Sequence, residues 1–173
     1  AIDANNIYAK QVQLLVRVLP IVDTEKCFAL KGGTAINLFY RPLPRLSVDI
    51  DLLYIPMDDR DTALKNIREA LSRISEKIAK TIPGTRVQDA HEQSDALRLI
   101  VSQGEVRIKV ELSPVIRGTI FPEVRMEVTE EVETEFGYVE MQVASLPDLY
   151  AGKICAALDR QHPRDLFDVK FLL

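Results

Sequence analysis

The hydrophobic positions of this chain change period several times, and each change marks an element. Between residues 2 and 19 apolar side chains recur weakly at helical spacing (Ile7, Leu14, Leu15, Val18, Leu19), which predicts a helix ending at Pro20. Residues 34–40, TAINLFY, predict a short helix after Gly32-Gly33, and Pro42 and Pro44 break the chain beyond it. Residues 46–55 alternate: Val48, Ile50 and Leu52 share one face of a strand, while Ser47, Asp49 and Asp51 share the other. Over 60–80 the period returns to that of a helix, with Leu64, Ile67, Leu71, Ile74 and Ile78 in one apolar stripe that Pro83-Gly84 stops.

Two alternating runs follow, 96–102 and 105–112, and Gln103-Gly104 between them signals a hairpin. In the second run Val106, Ile108, Val110 and Leu112 face one way and Arg107, Lys109 and Glu111 the other. Residues 123–128 and 132–143 add candidate strands. Ser145-Leu146-Pro147-Asp148 reads as a helix start, and Pro163 restarts a helix. Helix, strand, helix, several antiparallel strands and terminal helices in that order predict an α+β domain with a mixed sheet. The expected organisation is a core over residues 1–144 with a helical segment, 145–173, packed on it.

Composition narrows the class. The chain has 173 residues, 47% of them hydrophobic, and a formal net charge of −4, so bulk charge would not hold it on nucleic acid, although a local basic groove is compatible with it. No apolar run approaches the ~20 residues of a membrane span. The first residues carry no secretory pattern, and two cysteines, Cys27 and Cys155, are too few for a disulfide framework. A cytoplasmic protein with no membrane partner is expected.

The candidate chemistry lies in three places. Gly32-Gly33-Thr34, opening a helix, lets backbone N–H groups approach an anion closely. Asp49 and Asp51, two apart in a strand, point the same way, which suits a hard cation such as Mg²⁺ held together with substrate phosphates. A D-x-D pair alone most often decorates a solvated strand face. Here its neighbours Leu46, Val48, Ile50, Leu52 and Leu53 are apolar, and a cation would relieve the repulsion between the two acids. Glu111 is a third carboxylate, on a strand expected to pair beside the first. Arg41 and Arg45 flank the proline-rich loop before Ser47 and are candidates for phosphate or an acceptor. Arg68, Arg73 and Lys77 form either a basic helix face or a solvated one paired with Glu69 and Glu76.

Taken together, Gly32-Gly33-Thr34 followed by Ser47-Val48-Asp49-Ile50-Asp51 resembles the nucleotidyltransferase superfamily that includes DNA polymerase β. More narrowly, KGGTAINLFYRPLPRLSVDIDL, then Lys153 and Arg164-Asp165-Leu166-Phe167-Asp168, is similar to the AbiEii/AbiGii-type nucleotidyltransferase toxins. The resemblance implies a nucleotidyltransferase core of mixed sheet and helices with a helical C-terminal segment. It implies triphosphate binding by Gly32, Gly33 and Thr34, and Mg²⁺ (or Mn²⁺) held by Asp49 and Asp51. It also implies that Lys153 and Asp165 match the family's further essential positions. Many members continue beyond that last motif, where this sequence ends at Leu173.

The expected activity is transfer of a nucleoside monophosphate from an NTP to a hydroxyl acceptor. A tRNA 3′ end is one such acceptor, and a cognate antitoxin is an expected partner. Asp49, Asp51, Glu111, Lys153 and Asp165 form the expected catalytic set. Gly32, Gly33, Thr34, Ser47, Arg45 and Arg164 form the expected substrate-binding set. Glu111 either completes the metal site or accepts the hydroxyl proton. Two alternatives share the scaffold: a transferase acting on a small, antibiotic-like molecule, and a non-catalytic nucleotide- or partner-binding module.

Overall fold

The computed structural model of the chain describes residues 2–40, 48–89, 97–117, 122–149, 151 and 154. Helix α1 (Ile2–Asp23) leads into strand β1 (Phe28–Lys31), a short helix α2 (Gly32–Ala35) and a π-helical turn over Ile36–Tyr40. Strand β2 (Ile50–Tyr54), helix α3 (Arg60–Thr81) and strands β3 (Thr85–Asp89), β4 (Leu97–Gln103) and β5 (Val106–Arg117) follow. Strand β6 (Val124–Glu127), helix α4 (Glu130–Phe136) and strand β7 (Glu140–Val143) come next, and residues 146–149 are again helical.

The seven strands form one sheet in the order β3-β4-β5-β2-β1-β7-β6. β1 runs antiparallel to β2 and parallel to β7, β2 runs parallel to β5, and the outer pairs are antiparallel. The sheet is mixed, as the order of elements predicts. Helices α1 and α3 pack on one face, where Leu15, Leu19, Leu30, Ile50, Leu52, Ile67, Leu71, Leu99 and Val110 belong to one buried cluster.

Local chemistry sets most boundaries. Asp59 caps α3, accepting the Thr62 N–H at 2.9 Å and the Thr62 hydroxyl at 2.8 Å, and these bonds hold its carboxyl below the ordinary carboxylate value. Gly104, at φ +59°, supplies the left-handed residue that the β4–β5 turn requires.

Three expectations change. α1 does not end at Pro20 but runs through it to Asp23. Val18, Leu19, Ile21 and Val22 are buried on either side of that proline, so packing outweighs the roughly 3 kcal/mol an interior proline costs. Of the strand expected at 46–55, Ile50–Tyr54 forms, Val48, Asp49 and Ile55 do not join it, and residues 46–47 lie outside the described residues. The run 132–143 divides into α4 and β7, because Glu130, Glu131 and Glu133 favour a helix N-terminus and Gly137, at φ +110°, ends the helix.

Candidate active site

The register of the central strands builds the site. Lys31 pairs with Asp51 across β1 and β2, Asp51 with Glu111 across β2 and β5, and Glu111 with Arg98 across β5 and β4. Their neighbours Leu30, Leu52, Val110, Leu97 and Leu99 belong to the core cluster. Side chains alternate along a strand, so Lys31, Asp51, Glu111 and Arg98 stand in one row on the opposite face. All four are partly exposed. The row reads cation, acid, acid, cation across four adjacent strands. The Arg98 Nε lies 3.3 Å from Glu111 Oε1.

The glycine motif abuts this row. Gly32 follows Lys31 directly and takes φ +80°, a backbone setting that L side chains rarely adopt. A Cβ at Gly32 would lie 2.6 Å from Asp51 Oδ2, so only glycine leaves room for that carboxylate. Thr34 is buried, and its hydroxyl donates to the backbone carbonyl of Asp49. That bond ties the start of α2 to the bend that leads into β2. Asp49 itself sits one residue before the strand, so strand alternation governs the direction of Asp51 but not that of Asp49.

The same end of the sheet receives the later chain. The Ala144 N–H donates to Leu30 O at 2.8 Å, and the Tyr40 hydroxyl donates to Ala144 O at 3.1 Å. Burial pushes the Tyr40 phenol upward from its ordinary value. Ser145 then caps the helical residues 146–149: the Asp148 N–H reaches its Oγ at 3.4 Å, and its hydroxyl donates to Asp148 Oδ2 at 2.7 Å. The helix start read at Ser145–Asp148 thus begins two residues after Val143, the last residue of β7. Lys153, Asp165, Arg164, Arg45 and Ser47 lie outside the described residues, as do Arg41 and Asp168.

The structure brings together Gly32, Asp51 and Glu111 directly, and Asp49 through Thr34. Lys31 and Arg98 join them unpredicted. The signal for Arg98 was its polar place between Leu97 and Leu99, but only strand register reveals its neighbour. Conversely, Arg73 and Lys77 leave the list of candidates for an RNA face. Arg73 forms a fork on Glu25 (2.6 and 3.1 Å), and Lys77 donates to the Thr24 hydroxyl at 2.9 Å.

Among the described residues, no three Asp, Glu, His or Cys side chains converge tightly enough to hold a metal unaided. The donor set nevertheless fits a hard divalent ion: oxygen ligands in adjacent register, beside a glycine cradle that a Cβ would fill. Mg²⁺ commonly uses one or two carboxylates and completes its shell with water and substrate phosphates. Two depressions, of about 360 and 450 Å³, lie elsewhere, and neither is lined by Gly32, Gly33, Thr34, Asp49, Asp51 or Glu111. The larger one is lined by Cys27 and Tyr54, at the far end of β1 and β2 from Gly32.

The model of the family described as nucleotidyl transferase AbiEii toxin, type IV toxin–antitoxin system, matches residues 13–173. The chain belongs to the AbiEii family. It is a nucleotidyltransferase, and the Gly-Gly-Thr and Asp-x-Asp segments both lie inside the matched span. Among solved structures, this AbiEii chain is similar to ANT(2″)-Ia in complex with adenylyl-2″-tobramycin. The identity is 18%, with 94% of this chain and 87% of that chain covered and a TM-score of 0.48. No curated protein matches the AbiEii chain. Among the described residues, no helix is long and apolar enough to cross a membrane.

Proposed function

We propose that this AbiEii-family chain transfers a nucleoside monophosphate from an NTP to the hydroxyl of an RNA acceptor, a tRNA 3′ end being the acceptor tested first. The observation that carries this reading is the left-handed Gly32 turn packed against the Asp51 carboxylate. A phosphate held by backbone N–H groups at the start of α2 would lie beside an acid able to share a cation with it.

In this reading Asp49 and Asp51 hold Mg²⁺, with Mn²⁺ as a substitute. When bound, the ion supplies charge stabilisation for phosphoryl transfer. Gly32 and Gly33 cradle the triphosphate. Thr34 keeps Asp49 in place through its carbonyl. Glu111, one strand from Asp51, takes the proton of the attacking hydroxyl. The acceptor oxygen bonds to the α-phosphorus, the bond from that phosphorus to the bridging oxygen breaks, and pyrophosphate leaves with the electron pair. Lys153, Asp165, Arg164, Arg45 and Ser47 are proposed to position nucleotide and acceptor, on the family resemblance. Such a transferase would act as the toxin of a pair with a cognate antitoxin in the cytoplasm.

Incubation with labelled NTPs, Mg²⁺ and total RNA tests the reaction, with small hydroxyl-bearing molecules as a second acceptor arm. Asp49→Ala and Asp51→Ala are each expected to lose at least ~100-fold in rate, the scale of removing a central electrostatic element. Undiminished transfer in both would overturn the assignment of the acids. Labelling of the small-molecule arm alone would overturn the RNA acceptor. Growth of a bacterial host expressing the wild type or Asp51→Ala tests toxicity, which should vanish with the variant.

A further inference from the structure

We infer that Arg98 is a positioning residue for Glu111, holding the third carboxylate beside Asp51 before any cation arrives. The inference rests on the reading above, in which Glu111 serves the reacting centre. Two acids at adjacent positions of neighbouring strands, about 4.8 Å apart in the hydrogen-bonding direction, repel one another. Without a compensating charge, the Glu111 side chain would swing toward solvent, since it is more than a third exposed. Arg98 stands on its other flank, in direct register across β4 and β5.

The contact has an unusual form. The Arg98 Nε is 3.3 Å from Glu111 Oε1, within ion-pair distance, yet this buried Nε has no aligned hydrogen-bond partner among the described residues. Charge and register therefore hold the pair, and no directed bond fixes it. An attraction of that kind restricts the carboxylate to one side of its strand while leaving it free to pivot. A fully made fork, such as Arg73 makes on Glu25, would lock it. Arg98 would thus act through Glu111, the group assigned to move the proton, by its contact with that carboxylate.

The signature of this role is a split between chemistry and binding. In Arg98→Gln, kcat for nucleotide transfer should fall by about 10–100-fold, the usual cost of losing the partner that orients a site's side chain. KM for the NTP should change little, because the glycine turn is untouched. Mn²⁺ binding to the nucleotide-free protein, measured by calorimetry, should not weaken, since a competing positive charge has been removed. Arg98→Lys, which restores the charge without the planar fork, should recover most of kcat.

Full kcat in Arg98→Gln would overturn the inference. So would a parallel loss of kcat, Mn²⁺ binding and thermal stability that Arg98→Lys does not repair, because that pattern is a purely structural defect. Asp51→Ala and Glu111→Gln run alongside. If either stays active, the reading of the acidic site fails. If both are inactive while Arg98→Gln is unimpaired, only the role of Arg98 fails.

Discussion

At the scale of the residue, Gly32 is where backbone geometry and chemistry coincide. Its φ of +80° costs a side-chain-bearing residue about 1–2 kcal/mol, and its missing Cβ leaves the space that Asp51 Oδ2 occupies. Gly32→Ala should therefore lower stability modestly in urea unfolding. Its larger effect should be on turnover, because relieving a 2.6 Å contact means moving the carboxylate. A shift near an ångström in a reacting group costs about 100-fold in rate. A variant that is stable, binds NTP and transfers at the wild-type rate would contradict this. The glycine and the acid were legible in the sequence, since both belong to a local motif. That Thr34 spends its hydroxyl on Asp49 was not, because its partner lies fifteen positions away in a bend that no periodicity marks.

Among the elements, the end of α1 is fixed by one buried acid. Asp23 accepts from Arg125 Nη2 at 2.9 Å, from the Gln142 N–H at 3.1 Å and from Lys26 Nζ at 3.3 Å, joining the helix to β6 and β7. Arg125 also bonds Glu140 at 2.6 Å, and these partners hold its guanidinium above its ordinary value. Asp23→Ala removes the acceptor from a buried position and orphans the Gln142 N–H, so a loss of about 2–3 kcal/mol in chemical denaturation is expected. Hydrogen exchange should show the β6–β7 edge opening first. Unchanged protection there would mean that the strands hold without the helix.

Elements with a strong internal period were readable: α3 matches its expected span within a residue, and the β4–β5 hairpin turns at the expected glycine. β1 was not readable, because a four-residue strand in mid-sheet, with Phe28, Ala29 and Leu30 all buried, shows no alternation. Nor was β3, a polar strand at the sheet's edge.

For the whole molecule, the groups whose proton affinity the fold raises give stability an alkaline limit. Burial, with Glu25 adding to it, pushes the Cys27 thiol from 9.0 to about 11. Burial also raises Tyr54, whose hydroxyl donates to Asp58 at 2.6 Å, and Tyr40. In the unfolded chain these groups give up their protons at lower pH than in the folded one, so stability is fully present below their ordinary values and declines as pH rises past them. Urea unfolding should give a level free energy to about pH 9 and a fall above it, and Cys27→Ser should flatten part of that slope. A curve that stays level to pH 11 would show that these side chains titrate freely.

The row of charges was the least legible feature, because it exists only once strands distant in sequence are aligned. β2 and β5 run the same way, and a parallel neighbour cannot be reached by a tight turn. The polypeptide travels through α3, β3 and β4 before Glu111 arrives next to Asp51. A ribosome that has released only the glycine and aspartate motifs has therefore made an unarmed protein. The acidic row is complete only with the fifth strand, and a slip of that strand by a single position would turn Glu111 inward and break the row.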